Sequence, residues 1–343
     1  MSSLRRAWVG TAKLTIGAFQ AVTNGLTSSM PAAAAAAGDR NVDMLIGGQA
    51  VIEGVMMRSL TGYSVAVRQP DGGVAIRKDK LASITAQYPF LKLPVLRGSV
   101  VLIQSLILGI RALNYSASVA SEGEEGEPEM SNWAVAGSMT LAGLMGLGVF
   151  ILAPLGITNA IRHFFAPHMG NFTYNAIDGV LRALFFFVYI LSISFMEEIR
   201  RVFQYHGAEH KTVYTFEANE ELTVENARTK STLHPRCGTS FLMFVMAISI
   251  LVFSLVPSTV PFLVKFAARV VLIPLIAGLA YEIIRFSARH LSNPVCRVMT
   301  RPGMWLQKIT TKEPDDKQLE IAITALKEAL RYDIVEETQA AVA

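Results

Sequence analysis

Cysteine is nearly absent from this sequence. The 343 residues hold two, Cys237 and Cys296, which cannot build the disulfide framework of a small secreted scaffold. Charge is scarce as well. Asp, Glu, Lys and Arg make up 17% of the chain and hydrophobic residues 52%, whereas an average soluble domain carries ~25% charge. That balance argues against an ordinary soluble protein and for a membrane protein. The basic excess is only +4, and its Lys and Arg residues sit beside apolar runs. This suits membrane topology rather than a nucleic-acid surface, so no nucleic-acid partner is expected. No acid precedes Asp39, while Arg5, Arg6 and Lys13 are all basic. Lys13 and Gln20 interrupt Ala7 to Val22, which leaves no secretory signal core. The flanks of Arg5-Arg6 fit a twin-arginine signal poorly. Residues 1–40 therefore read as a basic, flexible arm able to lie on anionic lipid. No long internal repeat is evident.

What the chain does have is long apolar runs. Four stretches, Trp133–Ile157, Ile177–Met196, Thr239–Val256 and Pro261–Ile284, approach the ~20 residues that cross a bilayer. One face of their connections collects Arg200, Arg201, Lys211, Arg228, Lys230, Arg236, Arg285, Arg289 and Arg297. The positive-inside rule assigns that face to the cytoplasm. The expected fold is a mainly α, polytopic membrane protein, with four spans over 133–285 and both termini cytoplasmic. The bilayer is its first partner. A peptide substrate or another membrane protein is a second.

Residues 41–93 read as a small cytoplasmic β unit. Tyr63–Gln69 and Val74–Lys78 alternate around Pro70-Asp71-Gly72-Gly73, a hairpin signal. Ahead of it, Gly47-Gly48 and Gly54 bend an apolar strand that carries Glu53 and Arg58. Those two charges read either as an edge ion pair or as groups facing a site further along the chain. Over 94–132, Arg97, Gln104 and Arg111 put a polar stripe on an apolar helix, as expected of one lying in the interface or packed on a bundle, with a full span as the alternative. The acidic loop Glu122–Glu129 follows. Over 286–343, Leu319, Ile323, Leu326 and Leu330 line one face of a helix, and Asp315 with Gln318 forms a capping box before it. Inside the last span, Lys265 is expected to snorkel, and Arg269 is an intramembrane charge and so a functional candidate.

Chemistry concentrates in one place. Residues 205–211 and 234–237 hold three of the six histidines and one of the two cysteines. His206, Glu209 and His210 form H-x-x-E-H, the inverted zinc-hydrolase spacing, in which a helix presents two imidazoles on one face and the Glu serves as general base. His234 and Cys237 supply two more donors of the kind Zn²⁺ takes. Four protein ligands would close the site. Three would leave room for a water on which Glu209 could act. Thr223 caps a short helix between the two segments. Thr212–Thr215, rich in β-branched residues, is a point where the helix could turn extended.

Several blocks carry a resemblance. Gly47–Arg58, His206–Lys211, His234–Phe241, Arg301–Gln307 and Glu313–Asp316 are similar to blocks of the YqhQ family, bacterial membrane proteins of unknown function. The likeness runs from about residue 44 to about residue 335. It implies a multi-pass membrane protein labelled a metal-dependent enzyme, with no established substrate and no proven catalytic residue. Three functions stay open. The first is a zinc hydrolase, such as a peptidase, using Glu209. The second is a scaffold or assembly factor stiffened by structural zinc. The third is a transporter built on Lys265 and Arg269.

Overall fold

The computed structural model describes residues 46–59, 61–81, 88–121, 132–234, 237–290 and 293–342. The basic arm of residues 1–40, the acidic loop Glu122–Glu129 and Arg236 lie outside them. The N-terminal unit is a four-stranded antiparallel meander of β1 (Gly47–Val51), β2 (Gly54–Arg58), β3 (Gly62–Arg68) and β4 (Val74–Lys80). The expected β3–β4 hairpin is present, with Gly72 at φ 91° in its turn. The bent strand ahead of it is instead a second hairpin. Val51 pairs with Gly54 across Ile52-Glu53, and Glu53 takes φ 52°.

The rest is helical. After a 3₁₀ turn at Pro89–Lys92 come α1 (Leu96–Ala120), α2 (Asn132–Leu147), a π turn at Gly148–Leu152 and α3 (Ala153–Phe164). Then follow α4 (Asn171–Ile193), α5 (Glu197–Glu217), α6 (Val224–Arg228) and α7 (Gly238–Phe253). The chain ends with α8 (Phe262–Val271), α9 (Ile273–Arg289), α10 (Pro294–Thr310) and α11 (Asp316–Val342). By length and composition, three helical stretches among the described residues could cross a membrane: Leu96–Ala120, Thr140–Phe164 and Asn171–Ile193. The α8–α9 pair makes a fourth if its 44° bend belongs to one span. That bend corrects the expected continuous span. Pro274 has no N–H to give and its ring crowds the carbonyl four residues back. Helix α7 is apolar but only 16 residues long.

The expected interfacial helix is longer than its polar stripe suggested, and its two halves pack differently. Near its start, Arg97 grips Glu282 of α9 through both carboxylate oxygens, with Nε at 2.6 Å. Further along, Leu108, Ala112 and Val119 close over Val51, Met56, Tyr63, Val65 and Val67 of the sheet. The opposite sheet face, with Val55 and Met57, packs on Tyr205 and Ala208 of α5 and on the Leu319–Ile323–Leu326 stripe of α11. Each Leu in that stripe contributes roughly 2 kcal/mol of burial. The α11 capping box is reciprocal: Asp315 N–H donates to Gln318 Oε1 at 2.9 Å, and Gln318 N–H to Asp315 Oδ1 at 2.7 Å. The sheet is therefore covered on both faces.

Candidate metal centre

Helix α5 carries the site, and it departs from expectation at both ends. Glu197–Glu217 holds no proline and one glycine, so its sequence reads as a continuation of the second span, but the helix breaks at Ser194–Met196. Thr212–Thr215 stays helical, because Thr212, Val213 and Thr215 are buried and Thr215 Oγ1 donates back to Lys211 O at 2.9 Å. Tertiary burial outweighs the β-branched preference here.

Two faces of α5 do different work. Arg201, Tyr205 and Glu209 follow one another at i, i+4, so they share a face, and all three reach the sheet. Arg201 pairs with Glu53 through both carboxylate oxygens, and Tyr205 Oη donates to Glu53 at 3.4 Å. Glu209 Oε1 accepts the Gly48 N–H at 2.9 Å. Gly48 has to be glycine for this approach. A Cβ there would lie 2.6 Å from Met56 O, 2.8 Å from Glu209 Cγ and 2.9 Å from Met57 Sδ. Burial, and then the Glu53 carboxylate, pushes the Tyr205 hydroxyl well above the ordinary tyrosine range.

The neighbouring face presents His206 and His210. His206 Nδ1 lies 2.8 Å from Thr310 O, and His210 Nδ1 lies 2.5 Å from Thr232 O. A carbonyl only accepts, so both Nδ1 atoms donate, which leaves the Nε2 atoms as the ones that can ligate a metal ion. Fixing the tautomer from behind in this way is what metal-ligating histidines require. Gly207, between them, lets the carbonyl of Lys312 pass against the helix, and Lys312 N–H donates to Phe203 O at 2.9 Å.

Cys237 caps α7 and meets this face. Its Sγ lies 3.2 Å from His206 Nε2, and it accepts from Thr239 Oγ1 at 3.2 Å and from Thr239 N–H at 3.4 Å. The donor atoms of His206, His210 and Cys237 all lie within 4.8 Å of one another. His210 Nε2 is buried and has no hydrogen-bond partner among the described residues. Such an orphan costs free energy unless something occupies its lone pair. Two imidazole nitrogens and one sulfur, with tautomers set, fit a thiophilic divalent ion such as Zn²⁺. Glu209 Oε2 stands beside both rings, 3.7 Å from His210 Nε2 and 3.9 Å from His206 Nε2.

His234 is not the fourth member of this cluster. Its Nε2 faces Glu217 Oε2 at 3.3 Å, and its ring sits 5.7 Å from that of His210 and 4.4 Å from that of Tyr214. Its backbone is gripped from both sides by Gln307, which accepts from His234 N–H and donates to His234 O, each at 2.8 Å. Glu53 and Arg58 stay away from the donors too. Glu53 clamps α5, and Arg58 is half-buried near Tyr281, with burial lowering its pKa. Arg269 lies among the apolar helices with Asp178. Lys265, expected to snorkel, is buried against Asn159 and Tyr174. The residues that sequence reasoning missed are Gly48, Glu217 and Gln307, together with the carbonyls of Thr232 and Thr310. Gly48 and Gln307 stand inside blocks already singled out. Backbone carbonyls leave no residue-type signal.

Known proteins offer kinship without a function. Residues 93–332 match the family described as "Protein of unknown function (DUF1385)". The "Uncharacterized protein YqhQ" of Bacillus subtilis (strain 168) is 34% identical over 302 residues, covering 85% of this chain and 94% of that protein. No solved structure matches. Residues 93–332, which the family model matches, contain His206, Glu209, His210 and Cys237, whereas Gly48 and the sheet precede them. Kinship over the helical body and the donor cluster, together with the YqhQ likeness across most of the length, means that the chain belongs to the DUF1385 family, whose function is unknown.

Proposed function

We propose that this protein is a metal-dependent hydrolase of the bacterial inner membrane, with its site at the cytoplasmic face and both termini in the cytoplasm. Three to four apolar stretches support the membrane assignment, and the basic connections around α5 support the orientation.

The count of donors favours catalysis over a structural role. Three protein ligands, His206, His210 and Cys237, leave one tetrahedral position open, as catalytic sites do, whereas a closed four-ligand site would need His234. When bound, a Zn²⁺ ion polarises an attacking water and brings its pKa to about 7. Glu209 is the residue that handles the proton. Gly48 N–H pins Oε1, so Oε2 is the free basic atom, directed at the space in front of both imidazoles. It takes a proton as attack begins and returns it to the leaving group. Thr310 O and Thr232 O keep the rings from turning. The substrate class that fits is a peptide or ester bond presented at the membrane surface.

The test is Glu209→Gln in the full chain. Zinc content should match the wild type, while hydrolysis of a panel of fluorogenic peptide and ester substrates should fall at least a hundredfold. A wild type without metal, or a Gln variant that turns over normally, overturns the reading.

A further inference from the structure

The second concentration of charge lies within the apolar helices, in the half of the bundle away from the metal centre. Helix α4 runs from Asn171 to Ile193 and hands over to α5, which carries the histidines. Asp178 is therefore ~10 Å from the opposite end by helical rise. Asn171, Tyr174, Asn175, Asp178 and Arg182 share one face of α4, and each meets a polar partner. Asn171 Oδ1 accepts from Ser258. Asn175 Oδ1 and Asp178 Oδ2 accept from Arg269 at 3.3 and 3.0 Å. Lys265 Nζ donates to Asn159 Oδ1 at 3.1 Å and to Tyr174 Oη at 3.3 Å. Arg162 donates to Ser258 O, and its guanidinium stands over the Tyr174 ring.

The charges do not balance. Lys265, Arg269 and Arg182 are gathered around one carboxylate, with Arg162 adding a fourth cation beside them. Asp178 and Arg269 are each 1% exposed, and Lys265 is buried. The aromatic faces of Phe253 and Tyr174 offset part of the excess. A net positive cluster in an apolar setting is nevertheless costly without an anion. Two groups in it are also incomplete. Asp178 Oδ1 and Arg182 Nε are both buried without a hydrogen-bond partner among the described residues. One needs a donor and the other an acceptor, and the two residues are already joined at 3.1 Å through Oδ2 and Nη2. Arg182 is 17% exposed, so it is the member through which the cluster meets the bundle surface.

We propose that this cluster is a binding site for a phosphate oxyanion that also carries a hydroxyl. The oxyanion answers Arg182 Nε and the surplus cations, and the hydroxyl donates to Asp178 Oδ1. A dihydrogen phosphate ion and a glycerol-phosphate lipid headgroup both have this chemistry. The site is separate from the metal centre and needs none of its residues.

The test uses the full chain in nanodiscs of phosphatidylcholine. One arm titrates inorganic phosphate by calorimetry. The other measures retention of phosphatidylglycerol against phosphatidylcholine by native mass spectrometry. Saturable one-to-one binding in the first arm identifies a free anion, and preferential retention in the second identifies a headgroup. Lys265→Met and Arg182→Gln should each weaken the positive arm at least tenfold, and Lys265→Arg should restore it. Asp178→Asn should hold the probe of the positive arm at least as tightly as the wild type, because it removes the competing negative charge yet leaves a carbonyl to accept the hydroxyl. Thermal unfolding and elution in size-exclusion chromatography report whether each variant is folded. The proposal is overturned if the wild type holds neither probe, or if Lys265→Met and Lys265→Arg lose binding equally.

Discussion

Replacing His210 and His234 in turn separates a three-donor centre from a four-donor one. Both residues are buried, and their rings lie 5.7 Å apart. Only His210 aims an unpartnered nitrogen at Cys237 and His206. Zinc bound by structural four-ligand sites is held by about 10–16 kcal/mol, so a single ligand carries roughly 3 kcal/mol, which is about a hundredfold in affinity. His210→Ala should weaken zinc by about that factor, and Cys237→Ser should be comparable. His234→Ala instead removes a hydrogen bond to Glu217 and a ring contact with Tyr214. It should lower stability by about 1 kcal/mol and leave zinc affinity within a few-fold of wild type. The assay is competition with a chromophoric chelator on the purified full chain, paired with thermal unfolding. Equal losses of zinc in His210→Ala and His234→Ala would refute the three-donor geometry. The open position, and with it the place for catalysis, would then be gone.

Three further outcomes follow from contacts around the site. Gly48→Ala should cost about 1–3 kcal/mol in thermal unfolding, because its Cβ meets the Met56 carbonyl and Glu209. Zinc should stay bound while hydrolysis drops with the displaced carboxylate. Arg201→Gln should destabilise by about 1–3 kcal/mol, since Glu53 is 14% exposed and loses its bidentate partner. The same change made in Glu53→Gln should cost much less, which a double-mutant cycle on unfolding would show. Lys78 and then Arg331 hold the Glu328 carboxyl below its ordinary 4.5. A lowered folded pKa stabilises fully above the unfolded value and loses that contribution as pH falls through the folded one. Stability measured from pH 7 downwards should therefore decline below about pH 4.5 less steeply in Glu328→Gln than in the wild type.

Local signals told most where the chain answers itself within a few residues. The Asp315–Gln318 box, the Thr223 cap on Asn226 N–H and the apolar stripe of α11 are all legible in this way. Signals failed where a distant segment decides. Spacing counts His234 as a donor, but it cannot register that Gln307, seventy-three residues on, fixes the backbone while Glu217 takes the ring. Lys265 reads as a residue that snorkels until Asn159 and Tyr174 arrive from two other helices to hold it. The glycine-bent strand is instead a hairpin whose turn puts Glu53 at φ 52°, where Arg201 grips its carboxylate.

In sequence the H-x-x-E-H stretch stands out by its metal-ligand spacing. In three dimensions it is also a junction. The i, i+4 row of Arg201, Tyr205 and Glu209 binds the sheet, and the row of His206 and His210 meets Cys237 at the start of α7. Glu209 belongs to both, since one carboxylate oxygen is held by a strand and the other stands before the imidazoles. Placement of the proposed base thus depends on how the sheet docks on α5. A substitution that loosens that docking, far from any donor atom, should change turnover before it changes metal affinity.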